Sequence, residues 1–157
     1  MREQPASMQA ATPASPDATR SIARPVVPAH LLTFLALDFG SRRTGVAFGN
    51  RMLRSAQPLA TIQAPDAGAR MARVRERVTE WQPEGLVVGI PFHPDGAEHE
   101  NTLRARKFAR GLRAQFGLPV FEVDERYSTT AALADGASDP DAGAACVILE
   151  QFLRGLP

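Results

Sequence analysis

Hydrophobic positions arrive along this chain in two rhythms. Phe34, Leu35, Ala36 and Leu37 form an unbroken apolar run, and "GLVVGIPF" (85–92) forms another. A strand covered on both faces reads this way, because neither side of its pleat meets water. Val46, Ala47 and Phe48 predict a return strand after a polar turn bracketed by Gly40 and Gly45, giving an antiparallel hairpin with Asp38 near its open end. "RSAQPLATI" (54–62) predicts a third strand, which Pro58 assigns to a sheet edge or a bulge because proline cannot donate to a ladder. "PVFEV" (119–123) predicts a fifth.

The second rhythm is helical. Met71, Val74, Val78 and Trp81 predict a helix over Asp66 to Trp81, with Asp66 as N-cap and Pro83 as its stop. Phe108, Leu112 and Phe116 lie four apart and predict a helix from about Glu100 to Phe116, ended by Gly117 and Pro119. Ala144, Ala145, Ile148, Leu149 and Phe152 share one face of a last helix from Asp141 to about Leu153. The order is three strands, helix, strand, helix, strand, helix. It predicts an α/β sandwich whose mixed sheet begins as an antiparallel meander and continues through parallel crossovers.

Residues 1–30 follow neither rhythm. They hold Pro5, Pro13, Pro16, Pro25 and Pro28 among many Ala and Ser residues, with no aromatic side chain. Such a segment buries too little apolar surface to offset its conformational entropy, so a disordered tail over 1–30 and one domain over 31–157 are expected. Cys146 stands alone, which excludes an internal disulfide and a cysteine-cluster metal site. No stretch approaches the roughly 20 apolar residues of a membrane span. With no compact apolar signal core at the N-terminus either, a soluble cytoplasmic protein without membrane contact is expected. The formal net charge is only +1, so any nucleic-acid surface must come from local clustering.

Asp38 adds chemistry to this ordinary outline. It sits where an apolar strand leaves the core, and a carboxylate buried there needs a metal ion, an arginine or backbone N–H groups to offset its desolvation. An Asx-turn closed by Asp38 itself is the plainer alternative. The strands ending at Asp38, Pro91 and Val123 are expected to run parallel and to release their loops at one sheet edge, where open α/β sheets bind ligands. Asp124 and Glu125 directly follow the last of these strands. Asp141 opens the final helix on the face of Ala144, Ala145 and Ile148, looking back toward the sheet. Three carboxylates converging there would repel one another without a cation, and hard oxygen donors select Mg²⁺ or Mn²⁺. Paired ions of this kind serve in-line attack of water on a phosphodiester. Taken singly, the acids also suit structural roles: Asp141 as a helix cap, Glu125 as the partner of Arg126 or Arg42.

Four segments, "LDFGSRRTGVAFGN", "VVGIPFHPDGAEHENTLRARKFARGL", "VFEVDERYSTTAA" and "DAGAACVILEQFL", resemble the successive blocks of the YqgF family of bacterial pre-16S rRNA processing and Holliday-junction-resolvase-like nucleases. The resemblance spans about residues 33–154. It implies a ribonuclease-H-like three-layer fold, a five-stranded mixed sheet flanked by helices, and metal-dependent hydrolysis of phosphodiesters in structured RNA, pre-rRNA or branched DNA. By position it makes Asp38, Glu125 and Asp141 the catalytic metal ligands for Mg²⁺ or Mn²⁺, with Asp124 as the substitute for Glu125. The chain departs from the family in one place: only "ALADGASDP" (132–140) precedes Asp141, where members carry a longer loop. Asp139 is then the alternative third acid.

Phosphate contacts are expected from Arg42 and Arg43 in the turn after Asp38, and from Arg126, Ser128 and Thr129 after Glu125. Arg126 has the alternative role of holding the acids in place. Arg106, Arg110 and Arg113 share a helix face, read as ordinary solvated surface ahead of a backbone-binding stripe. His93, Asp95, Glu98 and His99 fall near the site without metal-ligand spacing, and Cys146 reads as a core residue. Three other functions fit part of the pattern. A DNA junction resolvase would work as a homodimer, whereas an RNA processor needs only a monomer or weak homodimer. A non-catalytic nucleic-acid-binding module would keep the fold alone. An ATP-binding protein of the actin and sugar-kinase kind needs two such domains, and this chain has room for one.

Overall fold

The structure, a computed structural model, describes residues 25–93, 95–125 and 139–157. Most of the expected tail and the segment 126–138 lie outside the described residues. The elements are β1 (Thr33–Asp38), β2 (Arg43–Asn50), β3 (Ser55–Gln63), α1 (Ala67–Trp81), β4 (Gly85–Pro91), α2 (Glu100–Phe116), β5 (Val120–Glu125) and α3 (Pro140–Arg154). They form one sheet of order β3-β2-β1-β4-β5. β1–β2 and β2–β3 pair antiparallel, while β1–β4 and β4–β5 pair parallel. This is the meander followed by crossovers that the element order predicts. No helix among the described residues is long and apolar enough to cross a membrane.

The unbroken apolar runs have the expected cause. β1 and β4 lie inside the sheet, and alternate side chains enter two separate cores. Leu35, Leu37, Leu86, Val88 and Ile90 meet α1 and α2 through Val74, Phe108 and Leu112. Phe34, Ala36, Val87 and Phe121 meet α3 through Ile148, Leu149 and Phe152. Phe34 sets its ring edgewise against both Phe121 and Phe152, with centroids 6.3 and 5.2 Å away. Cys146 is half-buried against this second core, where burial pushes its thiol up to about 11.

Helix ends follow local chemistry. Asp66 caps α1 by accepting from Ala69 N at 2.8 Å. His99 closes a capping box with Thr102 at the start of α2, and Gly117 ends that helix at φ 64°. α3 starts one residue earlier than expected: Pro140 takes the first turn, where its missing N–H costs nothing, and Asp139 is the N-cap.

Three further features position the site, the first two of them differences from expectation. Asp38 pairs with Gly45 beside the turn of the β1–β2 hairpin, at its closed end rather than the open end. β5 continues through Asp124 and Glu125, so both acids are strand residues and alternation assigns them to opposite faces. Pro58 lies on edge strand β3, and a bulge also occurs, because Ala60 and Thr61 together face Gly45 of β2.

Candidate active site

Strand alternation selects the acids. Even-numbered residues of β1 and odd-numbered residues of β5 face α3, which places Asp38 and Glu125 on one side of the sheet. Asp124 falls on the other side with Glu122, whose carboxylate meets Arg106 and Arg113 of α2. β4 runs between the two acid-bearing strands, and its Gly89 sits opposite Asp38 in register. A Cβ at Gly89 would come within 2.6 Å of Glu125 Oε2 and 2.7 Å of Ile148 Cδ1. The missing side chain lets Asp38 and Glu125 meet across a strand.

The two carboxyl groups lie close enough for each to shift the other's titration. Burial and then the Asp38 charge push Glu125 up to about 8. Burial and then the Asp141 charge push Asp38 up to about 6. Both carboxyls are therefore harder to ionise than ordinary ones, with burial as the first cause. Glu125 Oε2 is buried and has no hydrogen-bond partner. A buried acceptor without a donor, next to a second carboxyl, is a position that favours a cation.

These shifts fix a sign for stability. Both folded-state pKa values exceed the ordinary 3.8 and 4.5, so the folded protein holds protons that the unfolded chain releases. The pair's contribution is fully present below about pH 4 and is lost as pH rises through about 6 and about 8. In chelating buffer, the Tm of the Glu125→Gln variant should gain on that of the parent between pH 5 and pH 8.5. A gap constant across that range would refute the raised pKa values.

Asp141 arrives from α3 by a separate route. Thr61 Oγ1, in the bulge, donates to Asp139 Oδ2 at 2.7 Å, while Asp139 Oδ1 accepts from Asp141 N and Ala142 N. Asp139, the alternative third acid, is thus engaged by its helix cap and by Thr61. Gly45 lies directly beneath the Asp141 carbonyl, where a Cβ would overlap the oxygen. The Asp141 side chain is held by Arg43, whose Nε and Nη2 donate to the same Oδ2 at 2.8 and 2.6 Å. The structure accordingly brings Asp38 and Glu125 into contact and leaves Asp141 beside them, close enough to act on Asp38 by its charge. Among the described residues no three His, Cys, Asp or Glu side chains gather at metal-ligand spacing.

Of the expected phosphate contacts, Arg42 and Arg43 line an open groove of about 580 Å³ with Gln63, Ala64 and Pro65. Arg126, Ser128 and Thr129 lie outside the described residues. The arginines of α2 form no free stripe: Arg106 meets Glu98 at 2.9 Å, and Arg113 meets Glu122 at 3.2 Å and Val120 O at 2.9 Å. His93 and His99 stack edgewise, and Asp95 closes a turn onto Ala97 N.

Sequence reasoning passed over Arg70. It is only 6% exposed, sharing the buried face of α1 with Val74. Its Nη2 donates to Gly40 O at 2.9 Å and Ser41 O at 2.5 Å, and its Nε donates to Thr44 Oγ1 at 3.1 Å. The guanidinium lies 4.6 Å from the Phe39 ring centroid. One side chain thereby ties down the turn that carries Asp38, Arg42 and Arg43. The available signal was a cation four residues before Val74, inside an apolar stripe. Arg70→Met leaves Gly40 O, Ser41 O and Thr44 Oγ1 without their donor, so stability should fall by about 1–3 kcal/mol, while cleavage by the folded variant falls about 10- to 100-fold. Parallel Tm and single-turnover measurements decide this, and undiminished cleavage by the folded variant would reduce Arg70 to a packing role.

The sheet order and its flanking helices match solved structures. The fold is similar to T. thermophilus RuvC in complex with Holliday junction substrate (TM-score 0.50, 16% identity, 78% of this chain and 93% of that one). It is also similar to the fowlpox virus Holliday junction resolvase (TM-score 0.52, 13% identity, 80% and 100%). These likenesses define a ribonuclease-H-like fold of the resolvase kind. In sequence, residues 32–155 match the family model described as "RuvX: Holliday junction resolvase". The chain is 66% identical over 133 residues to the "Putative pre-16S rRNA nuclease" of Polaromonas sp., covering 85% of this chain and 96% of that protein. The protein of the same name from Burkholderia thailandensis is 49% identical over 131 residues, covering 80% and 90%. The chain belongs to the RuvX/YqgF nuclease family, whose members hydrolyse phosphodiester bonds.

Proposed function

We propose that this protein is a nuclease of the 16S ribosomal RNA precursor, and that Asp38, Glu125 and Asp141 hold its divalent ion, Mg²⁺ or Mn²⁺. The observation that carries the reading is the buried Asp38–Glu125 pair, with raised pKa values and an oxygen left without a donor. Carboxylate oxygens suit hard cations of this class. When bound, such an ion supplies neutralising charge and activates water for in-line attack. The chain's own residues do the rest. Arg42, together with Arg126, Ser128 and Thr129, binds the phosphates flanking the scissile bond, and Arg70 holds the turn from which Arg42 projects. Asp38 and Glu125 would have to be ionised to hold such an ion, so cation affinity would rise with pH as their raised pKa values are passed.

A labelled panel tests this reading: 16S rRNA precursor, single-stranded RNA, duplex DNA and a four-way DNA junction, each with Mg²⁺ or Mn²⁺ and with chelator. Chelator-sensitive cleavage confined to the precursor is expected. Cleavage confined to the junction would transfer the protein to the resolvase reading, which the junction-bound RuvC neighbour motivates. Binding without any cleavage would make it a non-catalytic module.

A further inference from the structure

Arg43 holds Asp141 at the border of an open groove. It clasps one oxygen of Asp141 with two N–H groups, and the same side chain forms a wall of the groove shared with Arg42 and Gln63. Its backbone is fixed by pairing with Gln63, whereas its side chain is 54% exposed. We propose that Arg43 is an exchangeable counter-ion: a divalent cation beside Asp38 and Glu125 takes over the Asp141 carboxylate, and the released guanidinium grips a phosphate in the groove. The inference rests on the nuclease reading of the carboxylates. It adds a coupling between loading the cation and holding the strand.

The physical basis is charge exchange at one carboxylate. Asp141 binds the guanidinium through Oδ2 alone, so a cation that reaches that oxygen displaces both N–H bonds together. A guanidinium freed at this place has a fork geometry suited to a phosphate. Arg42, on the same groove wall, supplies a second positive charge. By reciprocity, phosphate in the groove must strengthen cation binding by the same factor as the cation strengthens phosphate binding.

Calorimetry with Mn²⁺, and anisotropy with a labelled RNA hairpin with and without Ca²⁺, test the exchange in the full chain. Arg43 is exposed, so Arg43→Gln should fold normally, as Tm will show. The variant should bind Mn²⁺ about two- to fivefold tighter, the range of one exposed ion pair. It should also lose the gain in RNA affinity that Ca²⁺ produces in the parent, and Arg43→Lys should recover part of that gain. Unchanged or weaker Mn²⁺ binding in Arg43→Gln would overturn the exchange, and so would a Ca²⁺-dependent gain that survives in it. If Mn²⁺ binds the parent and is lost in Glu125→Gln while Arg43→Gln behaves as the parent, only the exchange fails and the carboxylate site stands. If the parent binds no Mn²⁺, both fall.

Discussion

Asp38→Asn should lower cation-dependent cleavage roughly a thousandfold and raise thermal stability at pH 8. The two effects have one origin. Asp38 is buried next to Glu125 and feels the charge of Asp141, so its ionised form is disfavoured in the folded protein without a cation. Asparagine retains the shape, but it carries no charge to repel its neighbours or attract an ion. The folded state is relieved of a mismatch that only the function requires. Single-turnover cleavage and a Tm measured at pH 8 in chelator provide the check. Cleavage within tenfold of the parent would remove Asp38 from the machinery, and a lower Tm would show that its carboxylate supports the fold.

The parts of this molecule legible in its sequence are those whose cause is local. β1 and β4 announce themselves because interior parallel strands have no polar face, and Asp38 stands out because it breaks such a run. The placement of Asp124 and Glu125 on opposite faces was also within reach once β5 was extended to its true end, since side chains alternate with period 2. The ion pair of Arg43 with Asp141 joins residues 98 apart and depends on how closely α3 approaches β2. No spacing rule encodes that distance. Arg70 is harder still, because a lone arginine in an apolar stripe gains its meaning from the carbonyls of Gly40 and Ser41, about 30 residues away. The second core followed from the apolar face of α3, whereas the start of that helix moved by one residue because Asp139, rather than Asp141, takes the cap.

Gly45→Ala should be the most damaging single-methyl substitution near the site, costing about 2–3 kcal/mol and lowering Tm by roughly 5 to 10 °C. The added carbon would overlap the carbonyl oxygen of Asp141, a backbone atom in the first turn of α3 that cannot rotate aside. Gly45 is at the same time the register partner of Asp38 and the residue opposite the β3 bulge. To relieve the overlap, either the N-terminus of α3 lifts, carrying Asp141 and Asp139 away from Arg43 and Thr61, or β2 drops and takes Asp38 with it. Either movement separates groups that the proposed chemistry needs together, and a shift of about 1 Å there should cost roughly a hundredfold in cleavage. Thr61→Ala is the informative companion, because it removes only the bond that steadies the cap and leaves the close approach intact. Its loss should be about 1 kcal/mol, with activity reduced far less than in Gly45→Ala. Similar activities for the two variants, measured at a temperature where both are folded, would mean that the contact between α3 and β2 does not set the position of the carboxylates.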